Sequence, residues 1–253
     1  MDDSHNRLMG DRRRRVDPIW RVEAGTFLTA NWTLLDVGAE FLRICAVLRS
    51  AGFLQGCSVW IRGSLLEELE PHPKSDIDLM VVTLKANTEE IQQQLQMLLQ
   101  PFNRPVEGIV VSQDELEDLW HLQWLIRYRS YLVRGVDFLQ PKVVVDARFI
   151  KRLGHFYRPL FVPHILEGPV RNRLVAVKYL LRTIGVLGLQ DGMYTRDVRT
   201  CLVWSEKYVS DSAAMLHTIF ADLEKDNPTP ISVVPLINNL EDALGHLYRV
   251  TAE

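Results

Sequence analysis

Two aspartates stand one residue apart in "SDIDLMVV", Asp76 and Asp78, and Ser64, which follows Gly63 in "IRGS", lies twelve positions before the first of them. Alternate side chains of an extended strand share a face, so both carboxylates can lean onto one site, with backbones about 6.6 to 7 Å apart. Paired carboxylates repel unless a cation sits between them, and one or two carboxylates plus phosphate oxygens are what magnesium ordinarily accepts. Gly63 lets the backbone approach a ligand closely, and Ser64 adds a hydroxyl beside free amides, an arrangement suited to phosphate. The chemistry this points to is metal-assisted transfer at phosphorus. The plain alternatives are a strand with one solvated face and a common Gly-Ser turn. Against them, Leu79, Met80, Val81 and Val82 are all apolar, which predicts a strand covered on both sides with its acids at one end.

Those residues need elements to hold them. "CSVWIRG" reads as a strand closed by the Gly63-Ser64 turn. "NTEEIQQQLQMLLQ" predicts a helix over 87–100, with Asn87 and Glu90 as a capping box and Ile91, Leu95, Leu98 and Leu99 as its apolar face. After Pro101, "RPVEGIVVS" predicts a further strand with Glu107 near its start. Asp146, at the end of "KVVVD", is the rival third acid, read as a helix cap or a structural carboxylate. Residues 34–50 predict a helix packed by Phe41, Leu42, Cys45 and Leu48, and Trp120, Trp124 and Tyr128, spaced by four, predict a core face rather than a base-stacking one.

The combined pattern, apolar-x-Gly-Ser, a short connection, then Ser-Asp-x-Asp and an apolar run, resembles the nucleotidyltransferase superfamily of DNA polymerase β. It looks most like the bacterial aminoglycoside adenylyltransferases and minimal nucleotidyltransferases. That resemblance implies an α/β fold, a nucleotidyltransferase-fold mixed sheet with packed helices followed by a C-terminal helical bundle. It also implies that Gly63 and Ser64 hold a triphosphate, that Asp76 and Asp78 bind two Mg2+ or Mn2+ ions, and that Glu107 completes the metal set or takes a proton. Lys178, and with it Arg182 four residues on, would reach the nucleotide's phosphates from a helical domain; the plain alternative is a solvated basic helix edge. The chain departs from the family after the turn, where Leu65, Leu66, Glu67, Glu68 and Glu70 stand in place of small or basic residues. Arg62 and Lys74 are the nearby cations available to offset those acids.

Three parts are expected: a basic arm over 1–18 containing Arg12 to Arg15, a nucleotidyltransferase domain over 19–158, and a helical domain over 159–253. Pro159, Pro163 and Pro169 would form the linker, and helices are predicted over 170–188, from Thr195 as a cap, over 212–225 and over 235–250. A net charge of −3 argues against broad nonspecific binding to nucleic acid. Three cysteines without metal-site spacing, no apolar run of membrane-spanning length and no signal-peptide core predict a reduced, cytoplasmic protein.

The expected activity is transfer of a nucleoside monophosphate from an NTP or dNTP to a hydroxyl, with release of pyrophosphate. Three settings are open. One is anti-phage defence, as an oligonucleotide synthase or an enzyme nucleotidylating a macromolecule, with a nucleic acid as product or acceptor. The Hailong type of nucleotidyltransferase starts DNA synthesis from a tyrosine near its C-terminus, and Tyr248 occupies such a position as candidate acceptor or primer. The second is O-adenylylation of an aminoglycoside, with an acidic cleft for the cationic drug. The third is a non-catalytic antitoxin or binding module with a protein partner or a second copy of the chain.

Overall fold

Runs of β-branched and aromatic residues at 57–62, 77–83 and 106–112 form the strands they predict. The computed structural model describes residues 17–28, 37–69, 71–73, 75–84, 87–116, 118–139, 143–167, 170–222 and 234–250. In chain order the first elements are β1 (Ile19–Glu23), β2 (Thr26–Phe27), α1 (Ala39–Ser50), β3 (Cys57–Arg62), α2 (Ser64–Glu67), β4 (Ile77–Thr83), α3 (Thr88–Leu99) and β5 (Val106–Ser112). Then follow α4 (Gln113–Leu116), α5 (Trp120–Arg129), β6 (Ser130–Arg134), α6 (Ala147–Glu167), α7 (Val170–Leu187) and β7 (Met193–Thr195). The last are α8 (Val198–Tyr208), α9 (Ser210–Asp222) and α10 (Val234–Val250). Two compact units result, one over Thr29–Val143 and one combining Pro18–Leu28 with Val144–Glu253.

The first unit is built on a four-stranded sheet in the order β5-β4-β3-β6. β4 and β5 run parallel and the other pairs antiparallel, so the sheet is mixed. Val59, Ile61, Leu79 and Val81 face Phe41, Ile44 and Leu48 of α1 and Leu95 and Leu99 of α3 in one core. Trp60, Met80 and Val82, on the alternate face, are buried as well, which is the two-sided coverage that the unbroken apolar run predicts. Asn87 caps α3 by accepting from the Glu90 amide at 3.2 Å, as its capping-box sequence predicts. Arg134 on β6 reaches back to close α1, donating to the Arg49 and Ala51 carbonyls at 3.1 and 2.9 Å.

The second unit contains α6 to α10 and a small sheet in the order β2-β1-β7. β1 pairs antiparallel with β7 across most of the sequence, Trp20 opposite Tyr194, and a tight turn at Ala24 and Gly25, both at positive φ, joins β1 to β2. Two sequence expectations are corrected here. The expected linker at Pro159 and Pro163 is helix, because α6 runs through both positions; Pro169 lies outside the described residues. Burial of Phe149, Ile150, Leu153 and Tyr157 at helical spacing outweighs the roughly 3 kcal/mol that an interior proline costs. Thr195 is the last residue of β7 and not a helix cap; Asp197 caps α8 instead, accepting from the Thr200 amide at 2.9 Å. The basic arm with Arg12 to Arg15 lies outside the described residues. Among the described residues no helix is long and apolar enough to cross a membrane.

Candidate active site

Strand register carries Ser130, Arg62, Asp78 and Glu107 in one row across the four strands. Arg62 lies opposite Ser130 of β6 and Asp78 of β4, and Asp78 lies beside Glu107 of β5. Register partners share a face, and neighbouring strands are about 4.8 Å apart, so the two carboxylates stand side by side on the same face of the sheet, near the starts of β4 and β5. A local pattern cannot supply this adjacency, because α3 separates the two strands in sequence.

Asp78 is hemmed in from both sides by the Arg62-Gly63 segment. A side chain on Gly63 would place its Cβ 1.9 Å from Asp78 Oδ2, and Gly63 sits at a φ of +76°. Glycine is therefore required twice, for the backbone conformation and for the space that the carboxylate fills. On the other side Arg62 Nη2 lies 3.5 Å from Asp78 Oδ1. The Gly63 carbonyl then accepts from the Leu66 and Glu67 amides at 3.0 and 2.9 Å, which opens α2 and leaves Ser64 part-exposed at its start. Leu65 and Leu66, the residues that depart from the small or basic pattern, are 2% and 0% exposed, so they anchor the turn in the core. Glu68 is buried too, while Glu70 and Lys74 lie outside the described residues.

Asp76 stands one residue before β4, part-exposed, at the end of a loop fixed by Arg104. Arg104 Nη1 donates to the His72 and Ser75 carbonyls at 2.7 and 3.1 Å, and its Nη2 and Nε hold the Glu40 carboxylate at 2.7 and 3.0 Å. The Ile77 amide donates to the Pro105 carbonyl at 2.8 Å, tying the same loop to the start of β5. The hydrogen bond from Arg104 holds the Glu40 carboxyl below its usual range, against the opposing effect of burial. Sequence reasoning missed Arg104; the one local signal was a cation directly before Pro105, and its partners lie at distant positions.

The other candidates are placed as follows. Glu107 is exposed on the edge strand β5. Asp146 is the N-cap of α6, accepting from the Phe149 amide at 2.8 Å, which is the structural role expected of it. Trp124 and Tyr128 are buried, as a core face requires. Lys178, on α7, and Tyr248, on α10, belong to the second unit, and Lys178 is exposed. Tyr248 is half-buried with its hydroxyl lodged at Gly154, where an added Cβ would fall 2.1 Å from the oxygen. Burial, and then Glu241, push its phenol up to about 12. The three cysteines are free and buried, with burial raising Cys45 to about 11 and Cys201 to about 12, so neither is a ready thiolate.

Among the described residues no three His, Cys, Asp or Glu side chains converge closely enough to hold a metal ion by themselves. The aligned pair Asp78 and Glu107, with Asp76 at the strand entrance, nonetheless fits the partial ligand set that magnesium takes when phosphate oxygens supply the rest. No family model and no curated protein matches the sequence. Among solved structures the chain is similar to spectinomycin adenyltransferase AAD(9) from Enterococcus faecialis, determined with ATP and spectinomycin. The likeness has a TM-score of 0.45 and 13% identity, and covers 85% of this chain and 98% of that one.

Proposed function

We propose that this chain is a metal-dependent nucleotidyltransferase that moves a nucleoside monophosphate from an NTP or dNTP to a hydroxyl. The observation that carries the reading is the register of β3, β4 and β5, which sets Glu107 beside Asp78 and presses Asp78 against the Gly63 turn. In this reading Gly63 and Ser64 cradle the phosphates, and Asp76, Asp78 and Glu107 hold Mg2+ or Mn2+. When bound, such ions polarise the α-phosphate and stabilise the leaving pyrophosphate. The acceptor oxygen bonds to the α-phosphorus as the bridging bond to the β-phosphate breaks, and the acceptor's proton passes to Glu107. The Arg104 clamp keeps the Asp76 loop at the strand end, so the acids meet the substrate without further ordering.

The test is purified protein with each labelled NTP and dNTP and Mg2+ or Mn2+, offered an oligonucleotide, an aminoglycoside or only itself. Pyrophosphate release with label on one acceptor supports the reading and names the acceptor. The loss of that label in Asp78→Asn and Glu107→Gln, with unfolding midpoints unchanged, ties it to this site. A second reading, a non-catalytic binding module, is favoured by the Arg62–Asp78 ion pair, which already neutralises one of the acids. It predicts no turnover with any nucleotide and a biological effect that survives Asp78→Asn.

A further inference from the structure

Arg62 ends β3, directly before the Gly63-Ser64 turn, and its register partners are Ser130 on one side and Asp78 on the other. In the row formed by Ser130, Arg62, Asp78 and Glu107 it is the one cation. Among the described residues its guanidinium has a single ionic partner, Asp78, with Nη2 at 3.5 Å from Oδ1 and the two side chains 23% and 21% exposed. That separation is long for a charge-assisted hydrogen bond, which ordinarily closes to about 2.7 to 2.9 Å. Arg104, near the same end of the sheet, is a contrast: its side chain is 7% exposed and donates four hydrogen bonds of 2.7 to 3.1 Å. Arg104 is committed to the fold, whereas Arg62 is held loosely, by a carboxylate that the proposed metal also needs.

The planar N–H donors of a guanidinium match carboxylate and phosphate oxygens alike. A phosphate group lying over the Gly63-Ser64 turn offers Arg62 a second anion beside its own backbone. We propose that Arg62 couples the two ligands of the site: it engages Asp78 in the resting protein and transfers to the phosphates of an incoming nucleoside triphosphate, which releases Asp78 for the divalent ion. The inference rests on the nucleotidyl-transfer reading, whose phosphate and metal positions it uses. Arg62 therefore resists a metal ion that arrives alone and yields to one that arrives with nucleotide. By linkage, the phosphates tighten metal binding through Arg62 by the same factor as the metal tightens theirs. The Arg62–Asp78 ion pair is then the resting state of a working site.

The experiment is Mn2+ binding to the full chain by titration calorimetry, alone and with saturating tripolyphosphate or the α,β-methylene analogue of each common nucleoside triphosphate. These analogues resist cleavage at the bond that would break. Wild type, Arg62→Ala and Arg62→Lys are compared, so the affinity of Mn2+ for the phosphates themselves cancels. Wild type is expected to bind Mn2+ more tightly with an analogue than without. In Arg62→Ala, Mn2+ alone is expected to bind about two- to fivefold more tightly and the analogue about tenfold more weakly. The tightening of Mn2+ by the analogue should then shrink by the same two- to fivefold, and Arg62→Lys, which keeps the charge, should keep most of it. If Arg62→Ala does not fold, Arg62→Gln, neutral and of similar length, serves with the same expectations. The proposal alone is overturned if wild type binds the analogues and the neutral variant shows undiminished coupling or binds them as tightly. If wild type binds neither tripolyphosphate nor any analogue, the nucleotidyl-transfer reading falls and the proposal with it.

Discussion

At the residue scale, the contact between Gly63 and Asp78 links turn and strand into one device. Gly63→Ala would force the Asp78 carboxylate away and strain a backbone at a φ of +76°. We expect it to cost about 1 to 3 kcal/mol in urea unfolding and about a hundredfold in the proposed nucleotidyl transfer, whereas Ser64→Ala leaves stability nearly unchanged. Arg62 acts in the opposite sense. Its guanidinium, 3.5 Å from Asp78 Oδ1, competes with any cation for that carboxylate. Removing it in Arg62→Ala is expected to tighten Mn2+ binding about two- to fivefold, the worth of a part-exposed ion pair. An unchanged or weaker Mn2+ affinity by titration calorimetry would show that the pair does not compete for the ion.

At the element scale, β4 and β5 are held in register at the end that matters by a side chain outside both. Arg104 ties the loop before β4 to α1 through Glu40, and its side chain is only 7% exposed. Arg104→Ala leaves carbonyls and a carboxylate without their donor and is expected to cost about 2 kcal/mol. The same pair gives a pH dependence. Because the folded-state pKa of Glu40 lies below the ordinary value of 4.5, its contribution is complete above that value and is lost as pH falls through the lowered one. Urea midpoints of wild type and Glu40→Gln should therefore differ most near neutrality and converge in acid; a constant gap would mean that the Glu40 charge contributes nothing.

At the scale of the whole molecule, the N-terminal hairpin belongs with elements more than a hundred residues away. Trp20 packs edge-on to Phe27 and Tyr194, each at 5.4 Å. Trp20→Ala is expected to cost about 3 to 5 kcal/mol, with faster amide exchange in β7 and α8 and little change in β4. Equal loss of protection in β4 would show that the two units unfold together. The sequence alone determined what local patterns encode. Apolar runs marked β3 and β4 as buried strands and β5 as a further strand, Asn87 with Glu90 marked the start of α3, and the Gly-Ser and Asp-x-Asp spacing marked residues that the fold brings together where β3 ends and β4 begins. Each depends on neighbours within a few residues, where alternation, helical period and capping leave a readable trace. The tertiary structure decided what non-local pairing and burial control. Asp78 stands beside Glu107 because β4 and β5 are parallel, Arg104 clamps a loop some thirty residues before it, and β1 pairs with β7. The prolines of α6 were misread as a linker because a proline's local penalty is visible in sequence, while the burial that overcomes it arises only when the helix packs. Arg182 was read with Lys178 as a basic helix edge that would reach phosphates, because its charge is written in the sequence; that its guanidinium carbon packs 5.5 Å from the centre of the Tyr179 ring is a property of the folded chain.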